Sequence, residues 1–133
     1  MTTPSERLAI RTPEDIVRVR QIVRTKASAA GLSIVDQTKI ITAASEIARN
    51  TLDYGGGGDV EVEGVSEQAR TGVRLTFRDQ GPGIADVEQA LRDNYTTGGG
   101  LGLGLGGAKR LCSEFRIDSK PGAGTTVMLA RWK

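Results

Sequence analysis

The stretch VRLTFRDQGPGI, residues 73–84, alternates apolar and polar side chains and then ends in a glycine–proline–glycine turn. The alternation predicts a strand over 73–79, and its period of two puts three apolar residues and Asp79 on one face. We therefore expect the Asp79 carboxylate to point toward the buried layer, where it needs a hydrogen-bond partner. Such a carboxylate is suited to accept a bond from an exocyclic amine such as that of adenine, and the alternative is an Asp that only forms the turn. The residues on this face are Val73, Leu75, Phe77 and Asp79.

A second unusual stretch is TTGGGLGLGLGGAKRL, residues 96–111, with seven glycines in sixteen positions. Residues 102–107 match the pattern G-x-G-x-x-G. A dinucleotide-binding site also needs a strand directly before this pattern, and none is predicted there. The chain has no HRD or DFG motif of a eukaryotic-type kinase, and the order Gly-Ala-Lys-Arg at 107–110 is not a Walker A ending. Glycines that lead into a helix offer backbone N–H groups and the positive end of the helix dipole, which suits phosphate. A flexible surface loop is the alternative.

A third stretch, SEIARN at residues 45–50, lies in a predicted helix. Glu46 and Asn50 are four residues apart, about 40° around the helix axis, and therefore share a face. They flank the apolar stripe of this helix, from which an acid and an amide could reach a site at the boundary of helix and sheet. An ordinary pair on the helix surface is the alternative.

The order of the predicted elements indicates a two-layer α/β sandwich. Thr12, Pro13 and Gly31 are the expected N-cap, first residue and stop of the first long helix. The elements are a strand at 6–12, helices at 12–31 and about 33–54, strands at 60–65 and 73–79 joined by the turn SEQARTG, a short helix at 85–94, a helix at 103–113, and final strands at 115–120 and 124–133.

Composition and charge exclude several classes of function. The chain has 133 residues, which predicts a single domain over 1–133, and its net charge is only +2. Without a basic block or aromatic–basic interleaving we expect no nucleic-acid partner. The single cysteine, Cys112, excludes an internal disulfide and fits a cytoplasmic location, and neither a membrane-span-length apolar run nor a signal-peptide core is apparent. Because histidine is absent, a His metal site, a Ser–His–Asp triad and a phosphohistidine are excluded.

Taken in order, the three stretches resemble the GHKL ATPase superfamily, which includes gyrase, histidine kinases and MutL. The resemblance covers residues 40–130 and implies the Bergerat ATP-binding fold, a two-layer α/β sandwich with a mixed sheet and helices on one face. Four motifs carry it: Glu46-x-x-x-Asn50 resembles the N box, Asp79-x-Gly81-x-Gly83 the G1 box, Gly100-x-Gly102-x-Gly104 the G2 box, and Gly124-Thr125 the last motif.

The resemblance implies ATP as the nucleotide and assigns residues to its base. Asp79 would bind the adenine amino group, and Gly81 and Gly83 would let the backbone close around the base. Thr125 would support the base through water, because it is expected to share a strand face with the apolar residues that follow it.

The resemblance also assigns residues to the phosphates and to catalysis. Asn50 would hold Mg²⁺ against the phosphates, and Glu46 would orient and deprotonate an attacking hydroxyl. The phosphates would be wrapped by Gly100, Gly102 and Gly104. No role is assigned to Thr96, Thr97, Lys109, Arg49 or Arg110.

Within the superfamily, the small size and the segments SEIARN, DQGPGI and GGLGLGLGGAKRL are similar to RsbT-type serine/threonine kinases and their anti-sigma-factor relatives. This similarity implies an ATP-dependent kinase of bacterial stress signalling. It would phosphorylate STAS-domain proteins of the RsbS or RsbR type and then bind a downstream phosphatase or other effector. The alternative is an ATP-gated binding switch or anti-sigma factor with little or no kinase chemistry.

Overall fold

The computed structural model describes residues 5–84, 86–87, 91 and 105–133. Within these residues a five-stranded sheet has the order β1-β2-β3-β5-β4, and two long helices pack against its inner face. The predicted two-layer α/β sandwich is therefore confirmed. The elements are β1 (Glu6–Ile10), α1 (Pro13–Ala29), α2 (Ile34–Asp53), β2 (Gly58–Glu67), β3 (Arg70–Asp79), α3 (Leu105–Arg110), β4 (Glu114–Ser119) and β5 (Thr125–Trp132).

The strand directions differ from the expectation. All four pairings between the described strands are antiparallel, so the expectation of a mixed sheet is wrong for this part of the chain. The connections explain the difference. A two-residue turn joins β2 to β3, a short loop over 120–124 joins β4 to β5, and two helices that pack on each other lie between β1 and β2. Because α1 and α2 each cross the sheet face once, β2 begins at the end of the sheet where β1 ended and runs antiparallel to it. Parallel pairing would need a single crossover helix.

The turn between β2 and β3 is tighter than the predicted SEQARTG segment. Only Gln68 and Ala69 separate the two strands, and both have positive φ angles, 51° and 65°. Two-residue hairpins use such angles because they match the twist of the strands, usually with Asn or Gly. Because neither residue is Asn or Gly, no residue type typical of two-residue hairpins marked its position within the predicted SEQARTG turn.

Two predicted helices have different outcomes. The helix expected at 103–113 is described only over Leu105–Arg110, and the chain makes a turn before β4 begins at Glu114. The helix expected at 85–94 falls largely outside the described residues.

The core lies between the sheet and the two long helices. The buried, inward-facing residues of β3 and β5 alternate with partly exposed ones, as the period of two predicted. Among the described residues the largest side chains with almost no exposure are Phe77, Ile10, Ile40, Ile47, Leu75, Leu129, Val19, Val23, Val60, Val62 and Val73.

A hydrogen-bonded carboxylate lies near the N-terminus of each long helix. Asp15 Oδ2 accepts the backbone N–H groups of Arg11 and Thr12 at 2.9 and 3.1 Å, and the Arg11 bond is the main reason that the pKa of Asp15 is lowered. Near the start of α2, Asp36 Oδ1 lies 2.7 Å from Arg131 Nη2 on β5, and this bond lowers the pKa of Asp36. Both carboxylates therefore stabilise the fold in their ionised form.

Candidate functional site

The end of α2, the end of β3 and the start of β5 meet at one edge of the fold. The sheet register pairs Asp79, the last residue of β3, with Thr125, the first residue of β5. The pocket between them and α2 contains three of the predicted site residues, Asn50, Asp79 and Thr125. Its lining is Ile47, Asn50, Thr51, Tyr54, Asp79, Ile84, Leu105, Thr125 and Val127.

Asp79 is the half-buried acid of this pocket. Burial raises the pKa of its carboxyl above the ordinary value, and hydrogen bonds from the backbone N–H groups of Gly81 and Thr125 oppose the increase. The Gly81 N–H lies 2.9 Å from Asp79 Oδ1. One carboxylate oxygen is thus fixed by the turn that follows β3, which orients the group in the pocket.

Gly55 is a component of the site that the sequence pattern did not identify. A Cβ atom on Gly55 would lie 2.5 Å from Asp79 Cγ and 2.6 Å from Asp79 Oδ2, so only glycine leaves room for the carboxylate. Gly81 packs directly against Gly55, since a Cβ atom added to Gly81 would lie 2.7 Å from the Gly55 Cα. Gly55 is the first of the four consecutive glycines at 55–58 that follow the end of α2.

The turn after β3 is hydrogen-bonded to the end of α2 and to the loop between β4 and β5. Gly83 has a φ angle of +78°, which favours glycine, and a side chain there would overlap the Lys120 carbonyl. The Tyr54 hydroxyl at the end of α2 donates to the Gly83 carbonyl at 2.8 Å. From the other side, the Gly122 N–H donates to the Pro82 carbonyl at 2.7 Å. The turn therefore has a defined position against the pocket.

Thr125 is 9% exposed and shares its strand face with buried Val127 and Leu129, as predicted. The preceding Gly124 has a φ angle of +79°, and a Cβ there would overlap the Asp79 carbonyl. The close approach of β5 to Asp79 thus depends on a glycine at this position.

Glu46 lies one helical turn before Asn50, as predicted, but it is exposed and does not line the pocket. Arg49 is also exposed and lies 3.9 Å from Asp53 on the same helix. Lys109 and Arg110 are exposed on α3. The predicted phosphate-binding residues Gly100, Gly102 and Gly104, together with Thr96 and Thr97, lie outside the described residues.

Metal-binding clusters and membrane-spanning helices are both absent from the described part of the chain. It contains no group of three His, Cys, Asp or Glu side chains arranged to hold a metal ion. None of its helices combines the length and the apolar character that a membrane span requires.

Comparisons with known proteins agree with this geometry. The family model described as histidine kinase-, DNA gyrase B- and HSP90-like ATPase matches residues 35–133. The serine/threonine-protein kinase RsbT of Bacillus subtilis (strain 168) is 43% identical over 123 residues, which cover 92% of each chain. The anti-sigma F factor of Halalkalibacterium halodurans is 36% identical over 101 residues, covering 72% of this chain and 69% of that protein.

A solved structure supports the fold. The crystal structure of the RsbU and RsbW domains of Rv1364c from Mycobacterium tuberculosis superposes with a TM-score of 0.66 at 24% identity. The match covers 97% of this chain but only 32% of that longer chain, and it concerns the fold alone. The chain belongs to the family of histidine kinase-, DNA gyrase B- and HSP90-like ATPases, and within it to the group of RsbT-type kinases and anti-sigma factors.

Proposed function

We propose that this protein is an ATP-dependent protein-serine/threonine kinase and a partner-switching regulator of bacterial stress or sigma-factor signalling. It phosphorylates STAS-domain proteins of the RsbS or RsbR type and then binds a downstream effector such as a phosphatase. The proposal assigns this activity to one domain over residues 1–133, acting in the cytoplasm, where ATP and such partners are found. Its support is the 43% identity to RsbT together with the pocket at Asp79.

The single observation that carries the proposal is the Asp79 carboxylate, half-buried against the backbone of Gly55 and Gly81. The adenine of ATP fits these residues because its amine can donate to the carboxylate. The glycines also let the backbone approach the plane of a base without side chains in the way. We assign Asp79 to the adenine amine, Gly81 and Gly83 to the backbone around the base, and Thr125 to its support.

Asn50 is our assignment for the magnesium ligand. It lines the pocket from α2 and lies one helical turn after Glu46. When bound, Mg²⁺ would neutralise phosphate charge, and an amide oxygen together with phosphate and water oxygens is a typical ligand set for it. Gly100, Gly102 and Gly104 are assigned to the phosphates by their motif alone.

Asn50→Ala is expected to weaken ATP binding by about tenfold in the presence of Mg²⁺ and to change it little in EDTA. The reason is that the amide oxygen contributes through the metal ion and not through the base. Calorimetric titration with ATP under both conditions measures the difference. Asn50→Asp keeps an oxygen at the same place and should retain the dependence on Mg²⁺. An equal loss in Mg²⁺ and EDTA would contradict the ligand role.

Glu46 is our assignment for the catalytic base. Phosphoryl transfer relies mainly on positioning and charge stabilisation, so one carboxylate that orients and deprotonates a hydroxyl is sufficient. The exposure of Glu46 supports this role, since the attacking serine belongs to a second protein and has to reach it from solvent. Its position one turn from Asn50 puts it near the proposed phosphate end of the site.

Incubation with ATP, Mg²⁺ and a purified RsbS-type STAS-domain protein is expected to add one phosphate to a serine of that partner. Mass spectrometry of the partner detects the modification, and Asp79→Asn is the negative control. Several relatives are named anti-sigma F factors, which favours the binding switch as the second candidate function. An ATP-dependent complex with the STAS protein or with a sigma factor, without any phosphate transfer, would support that second candidate.

A further inference from the structure

We propose that the solvent-facing side of the first half of α2 is the docking surface for the acceptor protein, the protein whose serine receives the phosphate. This α2 stripe consists of the exposed residues Ile34, Val35, Thr38 and Thr42, and it leads along the helix to Glu46. The inference rests on the proposed kinase function and deepens it, because it states where the acceptor binds and what chemistry its binding surface has.

The α2 stripe and Glu46 share one face of the helix. At about 100° per residue, Thr42 and Glu46 each lie about 20° from Val35 around the helix axis, and Thr38 lies about 60° away. The buried residues of α2 all lie more than about 60° from Val35, so the helix turns this face to solvent. Val35 precedes Glu46 by about 16 Å along the axis, at about 1.5 Å per residue.

Ile34 and Val35 are large apolar residues that the fold leaves exposed, with 75% and 62% of their surface in solvent. They are the first two residues of α2, directly after the N-cap Ser33. β-branched residues are weak helix formers, and the first turn of a helix favours acids that interact with its dipole. The two side chains therefore serve neither the core nor the start of the helix, and a partner that buries them gives them a role.

The α2 stripe is also free of exposed charge. Residues 33–45 are all described by the structure, and none of the exposed ones is charged. The two charged residues in this range, Asp36 and Lys39, are partly buried, and Asp36 lies 2.7 Å from Arg131. Depletion of charge is typical of the centre of a protein interface. The exposed surface of α1 is different, because it carries Glu14, Arg18, Arg20 and Arg24.

Glu46 identifies the occupant of the stripe as the acceptor protein. The acceptor serine has to reach this exposed carboxylate from solvent, so the acceptor contacts α2 around Glu46 during transfer. A specific interface covers about 800 Å² on each partner, a patch roughly 30 Å across, which is wide enough to include Val35. Beyond Glu46 the same face continues with the exposed charges Arg49 and Asp53, so the uncharged part lies only toward Val35. The matching surface of the acceptor is therefore apolar and lies about 16 Å from its serine.

Two threonines provide a matched pair of variants. The Thr38 hydroxyl donates to the Ile34 carbonyl at 2.9 Å, and the Thr25 hydroxyl on α1 donates to the Gln21 carbonyl at 3.0 Å. Both threonines are exposed, but Thr25 lines a groove beside Glu6 of β1 and does not belong to the stripe. Thr38→Glu and Thr25→Glu thus make the same chemical change, and only the first adds a charge to the stripe.

The test measures phosphate transfer to a purified RsbS-type STAS-domain protein at increasing concentrations of that protein, with saturating ATP and Mg²⁺. Thr38→Glu puts a charge where an apolar acceptor surface excludes water, so the KM for the acceptor is expected to rise at least about tenfold while kcat stays within about twofold. Thr25→Glu should keep the wild-type KM. Val35→Glu is the second variant, with the same expected increase in KM, and an acid in the first turn favours the helix.

Thermal melting and calorimetry with ATP establish that each variant is folded and binds nucleotide like the wild type. If the wild-type protein phosphorylates the acceptor and both Thr38→Glu and Val35→Glu keep its KM, the inference is overturned. An equal increase in KM for Thr25→Glu also overturns it, because the effect then follows added charge and not position. A change in oligomeric state of Thr38→Glu and Val35→Glu without acceptor, measured by light scattering, would assign the stripe to contacts between copies and overturn the inference. Failure of the wild-type protein to modify the acceptor would overturn the proposed function, and the inference with it.

Discussion

Replacing Asp79 with asparagine is expected to lower ATP affinity by at least about 100-fold in a protein that remains folded. Asp79 Oδ1 accepts the Gly81 N–H at 2.9 Å, and the single oxygen of asparagine would keep this bond. The amide NH₂ then takes the place of the other carboxylate oxygen and presents donors to the adenine amine. The variant loses a hydrogen bond to a charged group and places the asparagine NH₂ against the adenine amine, so that two donors face each other. These two changes account for an effect of this size. Calorimetry with ATP and Mg²⁺ measures it.

The stability of the same variant is an internal control. Burial is the main cause of the raised pKa of Asp79, so the ionised carboxylate is less favourable in the folded protein than in the unfolded chain. Its contribution to stability therefore decreases as pH rises through the raised pKa, and at pH 7 asparagine is free of this cost. We expect the melting temperature of Asp79→Asn to stay near that of the wild type, because the relieved desolvation offsets any weakening of the hydrogen bond from the Thr125 N–H. Near-normal ATP affinity in this folded variant would contradict the adenine assignment.

Acidification of the unmodified protein tests the same carboxylate. The raised pKa means that Asp79 takes up its proton above the ordinary Asp value of about 3.9. The lowered pKa values of Asp15 and Asp36 mean that their stabilisation is present above that ordinary value and is lost only as pH falls below it. Just above pH 4 we therefore expect weaker ATP binding with an unchanged circular dichroism spectrum. Loss of ATP binding and of the folded spectrum at the same pH would contradict the prediction that Asp79 is protonated before Asp15 and Asp36.

The sequence predicted the elements better than their pairing. The period of two identified Val73, Leu75 and Phe77 as core residues because each needs only the local strand geometry. Strand direction and the Gln68–Ala69 turn depend instead on which strand lies beside which and on how the hairpin twists. Neither property is contained in a local apolar pattern.

The candidate site was predictable where a motif combined chemistry with spacing. Asp79 and Asn50 were identified in this way, Thr125 was implied only by the family resemblance, and the structure brings the three to one pocket. Gly55 was missed because its importance comes from a contact across the fold, against the Asp79 carboxylate. A glycine after a helix has no distinctive local pattern.

Glu46→Gln is expected to slow phosphate transfer to the STAS partner by roughly 10²–10⁴-fold, the usual contribution of a general base. The substitution keeps size and polarity but removes the proton acceptor. Because Glu46 is exposed and does not line the pocket, ATP affinity and partner binding should stay within about twofold of the wild type. Single-turnover transfer followed by mass spectrometry measures the rate, and Glu14→Gln, an equally conservative change at an exposed acid on α1, should transfer at the wild-type rate.

The pattern of the Glu46→Gln result distinguishes three roles for this side chain. A slower transfer at unchanged ATP affinity is the signature of a group that acts only in the chemical step. A parallel loss of ATP affinity would assign Glu46 to nucleotide binding, together with Asn50 one turn away. Transfer at the wild-type rate would leave the kinase activity in place but require another base, because the serine hydroxyl would then lose its proton without help from this carboxylate.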